Sequence, residues 1–166
     1  MGFPVIRIFN ANLDNPEHAS AVVMLLNEYA CDLMGGGQEL SDFCKANLAA
    51  ELRKRNTIHS LLAYVDDEPA GFSICIDGFS TFNCRPLLNI HDLAVCPRFR
   101  GKGIAKKLLT HIEELAQQLG CCKITLEVLE GNRIAHDLYL KSGFAQYELD
   151  RSMGGAILMQ KKLLFE

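Results

Sequence analysis

The order of its periodic segments predicts an α/β fold: a mixed central β-sheet flanked by helices, in the order β-α-α-β-β-β-α-β-α-β-β. Three observations carry this reading. Segments with apolar residues at every second position are interleaved with segments where they recur every three to four. Midway, an apolar strand, Leu87 to Val95, runs through a glycine loop into an amphipathic helix. No repeat, low-complexity tract or linker divides the 166 residues, a length suited to one domain with a substantial core.

Taken in order, Val5 to Phe9 alternates as a first strand. Asn15 and Pro16 read as N-cap and first helical residue, with Ala19, Val22, Val23, Leu26 and Ala30 along one face. Gly35-Gly36-Gly37 breaks that helix and reads as a mobile segment. Ser41 caps a second helix whose Cys44, Leu48 and Leu52 point inward, and whose Arg53-Lys54-Arg55 suits a C-terminus. Thr57 to Val65 and Ala70 to Ile76 are strands joined by the turn Asp66-Asp67-Glu68-Pro69, and a looser stretch, Asp77 to Pro86, leads to the central strand. Pro97 ends that strand because it cannot donate to a ladder. Ile104, Leu108, Ile112, Leu115 and Leu119 then define a helix from Gly103 to Leu119, stopped by Gly120. Lys123 to Leu129 alternates as a strand. Asn132, Ala135 and Tyr139 share one face of a short helix that Gly143-Phe144 ends. Ala145 to Asp150 and Ala156 to Lys161 read as two closing strands around Met153-Gly154-Gly155.

The start of the central helix is electrostatically odd. A helix N-terminus is partly positive and favours Asp or Glu. Here Arg98, Arg100, Lys102, Lys106 and Lys107 surround it, while Glu113 and Glu114 lie farther along. Such crowding raises the free energy unless an anion sits among the cations, and Gly101 and Gly103 would let one reach bare backbone amides. The pattern points to a phosphate or pyrophosphate; a solvated basic turn is the competing reading. A nucleotide P-loop is excluded because Gly101-Lys102 is followed by Gly103, not by Ser or Thr. A dinucleotide fingerprint is excluded because Lys106 stands where its third small residue belongs.

Composition narrows the class further. Hydrophobic content of 49% with 22% charged residues describes an ordinary globule, and a net charge of −3 argues against a nucleic-acid binder. Seven cysteines without a C-x-x-C pair, placed within helices and strands, favour reduced, mostly buried thiols and a cytoplasmic location. No apolar run is long enough for a signal peptide or membrane span. His18, His59, His111 and His136 lack ligand-like spacing, so no metal is expected.

Arg98-Phe99-Arg100-Gly101-Lys102-Gly103 resembles the Arg/Gln-x-x-Gly-x-Gly/Ala loop of the GNAT superfamily of acetyl-CoA-dependent N-acetyltransferases. The run LEVLEGNRIAHDLYLKSGF resembles the element that pairs with that loop in the family, at the family's order and separation. The resemblance is strong over Leu87 to Phe144 and topological on the flanks. It implies a single GNAT-like domain over residues 1–166 that takes acetyl-CoA as cosubstrate.

By that resemblance, the main chain of Leu93, Ala94 and Val95 binds the pantetheine arm, with the Val95 N–H polarising the thioester carbonyl. Amides from Arg100 through Gly101, Lys102, Gly103, Ile104 and Ala105 to Lys106 cradle the pyrophosphate, within the basic surroundings that include Arg98. Asn132 contacts the cosubstrate near the pantetheine, and Tyr139 protonates the leaving sulfur. His91 aligns with a histidine of arylalkylamine N-acetyltransferases and is a candidate base or proton relay. Against it stand a hydrogen-bonded core histidine, a water wire, and Asp92 or Glu127 as bases. Strand alternation puts Asp92 on the face opposite His91 unless a bulge intervenes.

Acceptor recognition in the family involves the first two helices and their connection, here Tyr29, Asp32, Gly35 to Gly37, Gln38, Glu39 and Asp42. The expected reaction is acetyl transfer to a primary amine of a small molecule by direct attack in a ternary complex. A protein amine as acceptor and a sensor that binds acetyl-CoA without turnover are the alternatives. A homodimer is an expectation of the family, carried by no particular residue.

Overall fold

The computed structural model describes residues 4–163. Two compact units divide the chain after Leu126. The first contains one five-stranded sheet in the order β1-β2-β3-β4-β5, formed by β1 (Ile6–Asn10), β2 (Ile58–Val65), β3 (Glu68–Ser80), β4 (Arg85–Val95) and β5 (Ile124–Leu126). The first four strands are antiparallel and β5 joins β4 in parallel, so the sheet is mixed as expected. Its helices are α1 (Pro16–Cys31), α2 (Asp42–Arg53) and α3 (Ile104–Gln118).

Local chemistry accounts for the helix ends. Asn15 Oδ1 accepts from the Glu17 amide at 2.9 Å, and Ser41 Oγ accepts from the Cys44 amide at 3.1 Å. Ile104, Leu108, Leu109, Ile112, Leu115 and Ala116 form the buried stripe of α3 against the sheet. Consecutive β2 residues Leu61, Leu62 and Ala63 are all fully buried, so both faces of the sheet are covered: α1, with α2 beside it, lies on one and α3 on the other.

Two departures concern strand length. Asp77 to Ser80 is no loose connection: β3 continues to Ser80 and pairs with β4 from Arg85 onward, Asp77 opposite Leu88 and Gly78 opposite Leu87. Cross-strand pairing overrides the weak strand preference of Asp and Gly there. β5 is shorter than expected, ending at Leu126 rather than Leu129.

The second unit begins at Glu127 and contains α4 (Arg133–Lys141). Asn132 caps it, Oδ1 accepting from the Ala135 amide at 3.2 Å. The two closing strands expected at Ala145 to Asp150 and Ala156 to Lys161 do not form. Both segments are irregular and exposed, with a 3₁₀ turn at Arg151–Met153 between them. One backbone bond, Ala156 N to Tyr147 O at 3.1 Å, joins them, and a two-stranded hairpin on its own is marginal in water. Among the described residues no helix is long and apolar enough to cross a membrane.

Candidate active site

Three features of the first unit meet at the end of β4. The first is a backbone edge. β5 pairs with β4 only from Leu88 to Ile90, so β4 runs on to Val95 with its ladder to β3 alone. The Cys96 amide donates to Ala70 O at 2.9 Å, and by alternation Ala94 also turns its backbone groups toward β3. Leu93 and Val95 therefore turn theirs the other way, to the side where β5 has already ended.

The second is the glycine loop. Pro97–Phe99 makes a 3₁₀ turn, and Gly101 and Gly103 follow at φ 76° and 77°, a region in which L side chains are strained. Gly103 is the N-cap of α3, with no side-chain cap and no acid in the first turn. The first-turn amides are thus left to water or a ligand. Beyond the adjoining backbone, nothing among the described residues lies within 4 Å of where a Cβ would stand at either glycine. The motif quoted above is also met two residues on, by Arg100, Gly103 and Ala105, and that register puts the pattern's first glycine at the helix cap. Ile104 is buried beneath the loop, while Ala105 is half-buried and Lys106 exposed.

The five cations do not all face one anion. Arg98 Nη2 lies 3.3 Å from Glu68 Oε2, and its guanidinium sits 4.9 Å from the Phe99 ring centre. Arg100 Nη2 donates to Asp32 Oδ2 at 2.8 Å and its Nε to Val95 O at 3.0 Å. Lys102, whose ammonium lies 5.1 Å from the Phe99 ring centre, Lys106 and Lys107 have no ion pair among the described residues. The crowding inferred from sequence is relieved in part by two carboxylates distant in the chain.

The third feature is a bulge. Ile74 pairs with Asp92 and Cys75 with Ile90, leaving His91 as the extra residue of β4. The simple alternation that opposes His91 to Asp92 therefore fails here. His91 is exposed. Asp92 is half-buried, and burial raises its pKa, with the nearby His91 opposing the rise. Burial, then the charges of Asp92 and Asp32, push the Tyr29 hydroxyl above its ordinary value. Asn89, one step inside the bulge, clamps β5 through Nδ2 to Thr125 Oγ1 at 3.1 Å.

A cleft at this end of the sheet is lined by Glu28, Tyr29, Phe72, Val95, Cys96 and Arg100, among others. Cys96 Sγ donates to Glu28 Oε2 at 3.2 Å; burial, and next that hydrogen bond, push the thiol up to about 12, so it stays a neutral donor. Arg100 beside Asp32, helped by the Met34 amide, holds the Asp32 carboxyl below its ordinary value. Glu28 and Cys96 were not singled out from sequence. They lie 68 residues apart, and only the helical phase of Glu28, one turn before Asp32, hinted at a shared face.

The second unit holds the other two expected site residues. Tyr139 is 9% exposed on α4 and meets the Phe144 ring edge-on at 5.8 Å. Asn132 uses Oδ1 for the helix cap. Glu127 is exposed.

Comparison with known proteins agrees with this arrangement. The model of the Acetyltransferase (GNAT) family matches residues 22–144. A thialysine N-epsilon-acetyltransferase of Caenorhabditis elegans is 30% identical over 127 residues, 75% of either chain. The N-acetyltransferase YhfO of Bacillus subtilis (strain 168) is 30% identical over 134 residues, 77% of this chain and 84% of its own. Among solved structures, aminoglycoside N-acetyltransferase AAC(6')-Iy in complex with CoA superposes with a TM-score of 0.75 at 19% identity, over 98% of both chains. A mixed sheet whose fourth strand outruns its fifth, a glycine loop capping the following helix, and a family match across three-quarters of the chain lead to one conclusion: this protein is an acyltransferase of the GNAT acetyltransferase family.

Proposed function

We propose that this enzyme moves an acetyl group from acetyl-CoA to a primary amine of a small molecule by direct attack in a ternary complex. The uncapped N-terminus of α3 carries the reading: bare amides, two glycines with open space, and lysines with no ion pair among the described residues make a ready pyrophosphate seat. Of the amides expected from Arg100 to Lys106, that of Arg100 donates to Pro97 O at 3.2 Å; those of Gly101 to Lys106 would hold the pyrophosphate, and the outward groups of Leu93 and Val95 the pantetheine, as an added strand would be held. Acetyl-CoA supplies the activated thioester. The Val95 N–H serves as oxyanion donor, and Tyr139 gives its hydroxyl proton to the leaving sulfur. Asn132 contacts the cosubstrate near the pantetheine.

An amine with a pKa of about 10.4 is deprotonated in only about one molecule in a thousand at neutral pH, so it must lose a proton at the site. His91, on the bulge beside Asp92, is the assigned base or relay. Glu28, the cleft carboxylate without a cationic partner among the described residues, suits an ammonium group as ligand. The relatives named for thialysine and for aminoglycosides support a small-molecule acceptor. Seven free cysteines fit the reducing cytoplasm, although only Cys75 and Cys96 of them are buried, not most as expected.

The test is thiol release from acetyl-CoA by purified protein against polyamines, arylalkylamines, amino acids and N-terminal peptides. Turnover with a small amine is expected; binding of acetyl-CoA without thiol release from any amine would make the protein a sensor instead. Tyr139→Phe should lower kcat by about a hundredfold or more, the usual contribution of a general acid, while coenzyme A affinity stays near wild type. An equal loss of affinity would refute the acid role.

A further inference from the structure

Arg100 stands in the loop expected to offer its charge to a phosphate, yet its side chain turns to the protein. One planar guanidinium binds Asp32 Oδ2 at 2.8 Å and Val95 O at 3.0 Å, joining the glycine loop, the end of β4 and the connection between α1 and α2. That connection, expected from its three glycines to be mobile, is closed by hydrogen bonds. Asp32 Oδ1 accepts from the Met34 amide at 2.9 Å, and Asp32 O accepts from the Gly35 and Gly37 amides at 2.9 and 3.0 Å. The Gln38 amide returns to Ala30 O at 3.1 Å, and the Tyr29 hydroxyl donates to Met34 O at 3.3 Å. Asp32 is thus both the organiser of this loop and its link to the cofactor strand.

We propose that Asp32 and Arg100 are positioning residues that lock the acceptor loop, residues 32–40, to the glycine loop, so that coenzyme A seated on the glycine loop orders both together. This rests on the reading of the glycine loop as the pyrophosphate site. The physical chain is short. Ligand bonds to the amides from Gly101 onward hold the backbone next to Arg100, whose own amide donates to Pro97 O at 3.2 Å. Opening of the acceptor loop requires the ion pair to break, and a ligand that favours the closed arrangement shifts that equilibrium by its differential affinity. The acceptor then meets a formed loop wherever the cosubstrate is bound.

Amide hydrogen exchange on the full chain, with and without coenzyme A, tests this in the wild type, Asp32→Asn and Arg100→Met. Asn keeps an oxygen for the Met34 amide while losing the charge; Met keeps an apolar stem and loses every donor. In the wild type, coenzyme A slows exchange at residues 101–107 and also, by about threefold or more, at 33–40, a factor within reach of a partly exposed ion pair. In D32N the slowing at 101–107 remains and that at 33–40 vanishes, with R100M giving the same loss at 33–40. A merely structural role for the pair would speed exchange at 33–40 with and without ligand but leave the ligand's effect intact, which overturns the proposal. So does a wild type in which only 101–107 responds. No response in either segment of the wild type would overturn the pyrophosphate site and this coupling together, and is told apart by the silence of the glycine loop itself.

Discussion

Gly103 and Gly120 stand at opposite ends of α3 in the same left-handed conformation, φ 77° and 69°, and beyond the adjoining backbone neither has an atom of the described residues within 4 Å of a would-be Cβ. Alanine at either position meets no steric obstacle, so its cost to folding is that of an L residue held in this region, about 1 kcal/mol. For a chain of this size that is a fall of about 2–4 °C in Tm. The two substitutions should therefore be equal in stability and unequal in function. At Gly103 a methyl group enters the space through which a pyrophosphate would approach the first-turn amides. Loss of one charge-assisted hydrogen bond there is worth about 1.5–3 kcal/mol, or about 10- to 100-fold in coenzyme A affinity. At Gly120 the same methyl lies beyond the last turn, and affinity should not change. Thermal melts and low-salt calorimetry with coenzyme A read both quantities. The reasoning is refuted if Gly103→Ala binds coenzyme A like the wild type, or if Gly120→Ala loses as much affinity. A stability loss well beyond about 3 kcal/mol in either variant would contradict the open space at the glycines.

Two further expectations concern titrating groups away from the phosphate loop. Burial raises the folded-state pKa of Asp92, so its protonated form is favoured on folding; that contribution is fully present below the unfolded carboxylate value and is lost as pH rises through the folded one. Asp92→Asn, which cannot ionise, should gain stability relative to wild type as pH rises through that window; urea melts at acid and neutral pH showing no such gain would contradict the burial. With its pKa near 12, Cys96 is thiolate in about one molecule in ten thousand at pH 8, against about a quarter for an unperturbed thiol. Iodoacetamide at pH 8 should label Cys96 roughly a thousandfold more slowly than a free model thiol under the same conditions, as read by peptide mass spectrometry; a rate within about tenfold of the model thiol would overturn the assignment of Cys96 as a neutral donor.

What local sequence determined about this protein is what depends on near neighbours in the chain. The caps Asn15, Ser41 and Asn132, the stripe of α3, and the glycine spacing from Gly101 to Gly103 were all readable because their partners lie within a few residues. The family followed from two such local patterns in the right order. Tertiary structure alone decided which strand outruns its neighbour and where register slips. The bulge at His91 depends on β3 lying alongside, and the length of β3 depends on β4, so neither is encoded in one segment. The same holds for the side chains that surround the cleft. Asp32 with Arg100 and Glu28 with Cys96 are each separated by 68 residues, and their pairing exists because the sheet brings the end of α1 to the end of β4. The closing segments make the point from the other side: alternation at Ala145 to Asp150 suggested a strand, but alternation selects a face and cannot supply the neighbouring strand whose hydrogen bonds a ladder requires.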